Sequence, residues 1–478
     1  MKDIKEQNEL ETGIIGKLLF KYSVPSVITM ILGSTYNLVD TAFLGQAYPD
    51  GTGVAVTTLA LPVMMILLGF SLLAGQGGNA LAAILLGEGK KKKAEQTLGN
   101  SILLLIIFEI IIFVISFLFM DTLLDIIGTP ENLRDETKEF VQIQCWGFIC
   151  LAIGMGISNF IRTAGQPKIA LLTNVISVVV CVFLNYVFVM LLHKGVAGSA
   201  VATIMGQGCG SVAVILFFMF SKKSQFHLHM KSLQPDANLM RRILLMGLAN
   251  FAMSLASTVI CVIFNWVCRY YGDLSVVGAQ GALASIGIAQ KVAGFTFMPF
   301  IGVAMGAQPI IGYNYGAKNW ERVRKALSLA LITGVSIGVF FLIVGYLFPY
   351  QIVDVFGVNE ELRELSVFSL KSYLIFMPLV GFHAVGGTYF QSSGQPIKSA
   401  ILELTRQVIF LIPLYLILPQ VLLILNVISD GLIAVIICPP ISDFTSSVVT
   451  ICFIAVEMRK LRKKINDRQI ADKSSIAE

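Results

Sequence analysis

The chain has 478 residues, of which 56% are hydrophobic and only 13% are charged. A soluble chain of this length would form about three domains. The mean hydropathy of +0.79 is instead typical of a protein whose solvent is mostly lipid. The formal net charge of +6 lies mainly in the connections between apolar stretches, which indicates orientation in a membrane and does not require nucleic-acid binding.

Twelve apolar stretches are long enough to cross a bilayer, since a spanning helix needs about 20 mostly apolar residues. They predict an all-α integral membrane protein with twelve transmembrane helices. Glycine and proline in the second and eighth stretches predict kinks or tilt in these two helices. In chain order the predicted spans are 20–45, 54–86, 98–120, 138–161, 169–192, 196–221, 243–268, 280–312, 327–349, 370–391, 399–424 and 434–457.

Lysine and arginine are concentrated on one side of these spans. The connections after even-numbered spans are the basic ones, for example at Lys90–Lys93, and the C-terminal tail carries Arg459–Lys464. The connections after odd-numbered spans include acidic stretches such as Asp121–Asp125 and Glu360–Glu364. The positive-inside rule therefore predicts that both termini are cytoplasmic.

Two sequence signals recur at a constant offset of 229 residues, both at corresponding inner helix ends. Gly165-Gln166-Pro167 returns as Gly394-Gln395-Pro396, and the pair Gly77 and Gly87 returns as Gly306 and Gly316. Since each half holds an even number of spans, the two halves are parallel and related by an axis along the membrane normal. The repeat predicts two pseudo-symmetric six-helix lobes with a substrate site between them. The predicted limits are 1–221 for the N-lobe, 222–239 for a cytoplasmic linker, 240–460 for the C-lobe and 461–478 for a polar tail.

Asp40 lies near the outer end of the first span, where an intramembrane carboxylate is a functional-site hypothesis by default. Tyr36 and Asn37 precede it by four and three residues and share its helical face. A carboxylate here can be protonated and neutral, or ionised and bound to a cation. We predict that Asp40 is an ion-coupling residue; the alternative is an interfacial helix-end residue.

Two asparagines on the fifth span, Asn174 and Asn185, are eleven residues apart and share one face. They are predicted to surround Asp40 together with Asn37 and to supply oxygens or donors. The alternative for both is polar helix–helix packing.

The second half of the chain contains further candidates for the substrate cavity or for gating. Lys291 is a cation within the eighth span, whereas Glu403 and Arg406 are three residues apart and could pair within the eleventh helix. Methionines such as Met298 could form a deformable wall for varied ligands. The full set of cavity or gating candidates is Lys291, Met298, Gln308, Glu403, Arg406 and His383.

The sequence contains no phosphate-binding loop, nucleophile triad or zinc cluster. We therefore predict a protein that is not an enzyme and has no cofactor. The 8 cysteines lack metal-ligand spacing and are expected to be small buried hydrophobic residues.

Several motifs resemble those of the multidrug and toxic compound extrusion (MATE) family. Met298-Pro299 followed by Gly306–Lys318 resembles the family's eighth-helix signature, and Asn37–Gly45 resembles its first helix. Arg162–Pro167 and Phe390–Pro396 resemble the ends of its fourth and tenth helices. The likeness runs from about residue 15 to 460, and the branch looks DinF-like.

The resemblance implies a two-lobed bacterial plasma-membrane antiporter that expels cationic or amphipathic compounds by alternating access. It implies that protons or sodium ions drive export through an N-lobe site that matches Asp40, with no metal other than possible sodium there. The family often carries a second aspartate in a Leu-Asp-Pro context, which is Leu184-Asn185-Tyr186 in this chain. The resemblance also implies a monomer that binds small molecules and no nucleic acid.

Two other classes of function stay open. A flippase for lipid-linked precursors should have a strongly basic central cavity, whereas the predicted midplane cations are few, chiefly Lys291. An intramembrane enzyme or a passive channel is the other class, and it would act without an ion gradient.

Overall fold

The computed structural model describes residues 9–48, 52–127, 129–221, 224–225, 228–356, 360–428 and 430–477. These described residues form helices and connections, with no strand among them. Within these ranges ten helices are long and apolar enough to cross a membrane, and the number is twelve if each of two bent helix pairs is one span. The predicted all-α fold is therefore confirmed.

The twelve spans, labelled α1 to α12, lie close to their predicted positions. The first six are α1 Ile15–Ala47, α2 Thr52–Gly87, α3 Lys91–Ile127, α4 Arg134–Trp146 with Phe148–Thr163, α5 Pro167–Leu191 and α6 Gly195–Phe220. The other six are α7 Ala237–Asp273, α8 Gly278–Gly316, α9 Trp320–Leu347, α10 Leu362–Leu374 with Met377–Ser392, α11 Pro396–Ile424 and α12 Gly431–Ala477. Short helices at Glu9–Thr12 and Pro349–Asp354 precede α1 and α10.

The largest described bends lie in α4 and α10, while α2 and α8 continue as helices through their prolines. The two parts of α4 meet at 55° and those of α10 at 43°. At the bend in α4, a Cβ on Gly147 would overlap the side chain of Ile204 from α6. The close approach of α6 thus requires glycine at this bend. This requirement comes from packing between helices, so the positions of the prolines in the sequence did not indicate it.

The repeated Gly-Gln-Pro tripeptide makes the same helix-to-helix turn in both halves. Gly165 and Gly394 have φ of 91° and 74°, in the left-handed region that favours glycine at a helix C-terminus. Pro167 and Pro396 then occupy the first turn of α5 and α11, where a missing N–H costs no hydrogen bond. The motif therefore repeats because it stops one helix and starts the next.

Helices α1–α6 form the N-lobe and α7–α12 form the C-lobe. We call the end of the bundle where α1 begins the inner end, and the opposite end the outer end. The lobes meet where α1 packs against α8 and where α2 packs against α7 and α8. One buried hydrophobic cluster joins both lobes, whereas a second cluster belongs to the C-lobe alone and includes Ile260, Phe264 and Ile286 from its outer half.

The linker and the tail both pack against the bundle. Asn100 of α3 donates to the Gln234 carbonyl at 3.1 Å and accepts from the Asp236 N–H at 2.9 Å. The predicted polar tail 461–478 is helical as far as Ala477, since it extends α12. Its Lys464 ammonium lies 4.2 Å from the centre of the Trp320 ring.

Candidate functional site

A chain of hydrogen-bonded amides crosses between the lobes near the inner end. Asn79 Nδ2 of α2 donates to Gln308 Oε1 of α8 at 3.0 Å. These two residues are related by the 229-residue repeat, so this bond joins equivalent positions across the pseudo-twofold axis. Thr163 donates to Asn79 Oδ1 at 2.6 Å, and Gln308 Nε2 donates to Gln391 Oε1 at 3.4 Å.

The same chain ends on α7, where Gln391 Nε2 donates to the Met246 carbonyl at 2.8 Å. Asn79, Gln308 and Gln391 are all at most 3% exposed, so each bond forms in a water-poor interior. We call Thr163, Asn79, Gln308 and Gln391 the inner relay. Of these four residues, only Gln308 was predicted from the sequence as a site residue. The offset of 229 residues also relates Asn79 to Gln308 and could have indicated it.

Glycines bring the helices of the two lobes into backbone contact at the same end. A Cβ on Gly87 would overlap the Tyr313 carbonyl, and one on Gly316 would overlap the Ile84 carbonyl. Both contact pairs are related by the repeat. Closer to the middle of the helices, a Cβ on Gly302 would lie 2.5 Å from Val27 Cα of α1. The inner end is therefore closed by contacts that leave no room for a side chain.

The outer half of α8 is less tightly packed than its inner half. On α8, a Cβ at Gly287 or Gly294 would meet nothing within 4 Å, in contrast to Gly302. Lys291 and Phe295 share the helical stripe of Met298 and Gly302 and are exposed. The same stripe contacts α1 further inward, at Gly302, and is open in its outer part. Met298 is partly buried at the transition.

The predicted ion site lies on α1, but the side chains of Tyr36, Asn37 and Asp40 fall outside the described part of the structure. Their backbone belongs to the continuous helix Ile15–Ala47. Leu32 of α1 packs against Val178 and Cys181 of α5. Because α1 and α5 both run outward, the stretch 36–40 is level with α5 from about residue 182 onward.

Asn185 is at that level, whereas Asn174 lies about 16 Å further inward by the helical rise. Asn185 is fully buried, and its Oδ1 accepts from Ser199 Oγ of α6 at 2.8 Å. Its Nδ2 donates to the Cys181 carbonyl at 3.1 Å. Asn174 Nδ2 donates to Ala170 of its own helix at 2.8 Å. The geometry thus favours Asn185 over Asn174 as a neighbour of the predicted site.

The C-lobe contains a second group of polar side chains. Arg406 Nε donates to Asp443 Oδ1 of α12 at 2.7 Å, so its ion partner is on another helix. The salt bridge of Arg406 is thus made with Asp443, and the pairing of Glu403 with Arg406 within α11 stays a prediction. His383 of α10 is buried, and its Nδ1 lies 2.7 Å from Thr450 Oγ1.

No cluster of three or more histidine, cysteine or acidic side chains suited to a metal ion occurs within the described ranges. The predicted sodium site at Asp40 lies outside the residues to which this finding applies.

Relatives of known fold and name support a transporter. A chain described as multidrug export protein MepA from Staphylococcus haemolyticus is 23% identical over 435 residues, which cover 91% of this chain and 94% of that one. An outward-facing structure of a multidrug resistance MATE family transporter superposes with a TM-score of 0.86 at 20% identity, covering 96% of this chain and 99% of that one. A second solved structure is of a transporter of the MOP superfamily from Pyrococcus furiosus, described as having a binding pocket of reversed polarity that suggests a different function. It superposes with the same TM-score of 0.86 at 20% identity, covering 96% of this chain and 99% of that one.

The solved structures establish the fold, and the sequence match establishes the family. The MatE family model matches residues 25–187 and 249–417, which together make up more than half of the chain. This chain is a transporter and not an enzyme, and it belongs to the MatE family.

Proposed function

We propose that this protein is a secondary active multidrug exporter that exchanges cationic or amphipathic compounds for protons or sodium ions. The observations that carry the proposal are the closed inner end and the exposed outer half of the α8 stripe, which we take to line a cleft between the lobes. Such a bundle delivers substrate across a membrane if the two ends open in alternation. The name of the MepA relative supports the substrate class.

Asp40 is the proposed coupling residue of this exchange. When the carboxylate takes up a cation from the outer side, its charge is neutralised and the cost of burying it falls. One unit of pH difference supplies about 1.36 kcal/mol per proton. A potential of 100 mV supplies about 2.3 kcal/mol per charge moved. Asn185 is held by Ser199 and Cys181 at the level of Asp40, which orients its amide for a supporting role.

The proposed substrate path runs along the cleft face of α8. Phe295 and Met298 offer an apolar, adaptable wall, and Lys291 places one exposed cation on the same stripe. A single cation on this stripe fits a multidrug path better than the basic cavity expected of a lipid-linked precursor flippase. We also propose a monomer in a bacterial plasma membrane with both termini cytoplasmic.

Ethidium uptake into everted vesicles, where an exporter pumps dye into the lumen, tests this proposal. We expect the parent protein to export dye under an imposed proton or sodium gradient, and Asp40→Asn to lose that response at normal expression. Asp273→Asn, which removes an exposed carboxylate at the outer end of α7, is the matched control and should export as the parent does.

Any of three results would overturn part of the proposal. Export that persists without any gradient would exclude antiport. An active Asp40→Asn variant with an unchanged gradient response would move coupling away from Asp40. If the parent moves no dye under any gradient, the proposal of multidrug export is wrong. Export of a lipid-linked precursor is then the function to assay.

A further inference from the structure

Three ionisable side chains of the C-lobe form one charged group at the middle of the bundle. Arg406 and Asp443 are ion-paired at 2.7 Å, and their side chains are 22% and 7% exposed. Glu403 lies one turn before Arg406 on α11, so the two residues share a helical face. With all three ionised, the group has one negative charge in excess.

Glu403 is directed between α11 and α10. A Cβ on Gly387 of α10 would overlap Glu403 Oε1, so the glycine makes room for the carboxylate. The Gly387 carbonyl already accepts from Ser399 Oγ at 2.8 Å and is occupied. Immediately after Glu403 and Leu404, α11 changes to a π-helical stretch, Thr405–Leu411, which carries Arg406. Such stretches are frequent at functional sites because they re-aim side chains.

The helices packed around Glu403 present few other ionisable groups. His383 lies one turn from Gly387 on α10, is 1% exposed, and its Nε2 has no hydrogen-bond partner among the described residues. Helix α7 offers Ser257, which donates to Gln407 at 3.3 Å, and the stretch Ala249–Thr258 contains no charge. Helix α8 supplies Phe297, whose ring centre lies 5.1 Å from the Arg406 guanidinium carbon.

An isolated carboxylate kept ionised inside a membrane bundle costs several kcal/mol. Asp443 avoids this cost because it is ion-paired with Arg406, whereas Glu403 contributes the excess negative charge of the group. A metal cation at Glu403 would need several more oxygen ligands and would sit beside the Arg406 guanidinium. A proton needs only one carboxylate oxygen and removes the excess charge.

We propose that Glu403 is a second proton-binding site, located in the C-lobe and separate from Asp40, which takes up one proton to become a neutral acid and releases the same proton in another conformation. The role of this proton in transport rests on the proposed antiport. The binding of the proton itself does not.

Infrared difference spectroscopy on the full chain in lipid nanodiscs tests the site, with pH jumps as the perturbation. We expect the parent to show a protonated carboxylic-acid C=O band that titrates, and Glu403→Gln to lose one component of it. Asp40→Asn should keep that component. Glu364→Gln is the matched control, because Glu364 is an exposed carboxylate near the outer end and should affect only a hydrated acid signal.

A Glu403→Gln spectrum that superposes on the parent at every pH would overturn the proposal. If Glu403→Gln does not fold, Gly387→Ala is the second variant to test. Its added methyl group presses on the Glu403 carboxylate and should shift the same component of the band. An unshifted band would then overturn the proposal. The band is a property of purified protein, so it can be present when dye export fails. Where export occurs, Glu403→Gln should roughly halve the protons exchanged per dye, because one of the two proposed proton sites is lost.

Discussion

Arg322 of α9 should control how often the inner end opens, because it ties the C-lobe to the segment that precedes α1. Its Nη2 donates to the carbonyls of Leu10 and Gly13 at 3.0 Å and 2.7 Å. Its Nε donates to Asn314 Oδ1 at 3.0 Å, and Asn314 in turn donates to the Leu10 carbonyl at 3.0 Å. Leu10 is fully buried beneath this clamp.

The substitution Arg322→Gln removes the two hydrogen bonds that the Arg322 guanidinium donates to carbonyls of the N-lobe. A hydrogen bond from a charged donor contributes about 1.5–3 kcal/mol, which partial exposure reduces to about 1 kcal/mol each. The loss of about 2 kcal/mol changes the ratio of inner-closed to inner-open molecules by roughly 30-fold. If about 1% of the parent molecules are inner-open, roughly a quarter of the variant molecules should be.

Electron paramagnetic resonance distances between spin labels at positions 92 and 325 measure this population in a cysteine-free background. Lys92 lies in the first turn of α3 of the N-lobe and Lys325 lies on α9 of the C-lobe, and both are exposed. Arg324→Gln is the matched control because it removes an exposed guanidinium from the same helix. Arg322 does not control the opening of the inner end if Arg322→Gln gives the same distance distribution as Arg324→Gln while both proteins remain monodisperse.

Three further predictions concern the closure and the cleft. Gly316→Leu should hold the inner end apart, because even its Cβ would overlap the Ile84 carbonyl; unchanged interlobe distances would contradict this. Asn79→Leu and Gln308→Leu should be non-additive in a double-mutant cycle of the interlobe equilibrium, with a coupling energy of about 0.5–1.5 kcal/mol. Strictly additive effects would exclude a direct bond. Lys291→Gln should tighten the binding of cationic dyes up to about fivefold, since like charges about 4 Å apart in water repel by about 1 kcal/mol. An equal change for a neutral dye would exclude a charge effect.

Hydropathy and the 229-residue offset were sufficient to predict the span number, the two lobes and the equivalence of their inner ends. Both signals are local or periodic, so one sequence reveals them. The offset shows that Asn79 and Gln308 are equivalent, but it does not show that the pair lies on the symmetry axis. That position follows from how α2 and α8 cross, which glycine contacts such as Gly87 against Tyr313 determine.

Side-chain partners were harder to predict than helices. Spacing within α11 suggested Glu403 for Arg406, because residues three apart on a helix are neighbours. The structure brings in Asp443, 37 residues later, since α12 packs along the π-helical stretch of α11. The roles of Asp40, Asn37 and Tyr36 rest on the sequence pattern and stay predictions that the efflux assay decides.

Helix α10 connects the inferred proton site with the inner closure. Gly387, which contacts the Glu403 carboxylate, lies one turn before Gln391, which accepts from Gln308 at 3.4 Å. Residues four apart on a helix share a face, so a shift of α10 caused by a change at Glu403 reaches Gln391 directly. Glu403→Gln should therefore change the interlobe distances in the parent and have little effect once Gln391→Leu has cut the relay. If Glu403→Gln acts equally in both backgrounds, the proton site influences the closure by some other route than α10.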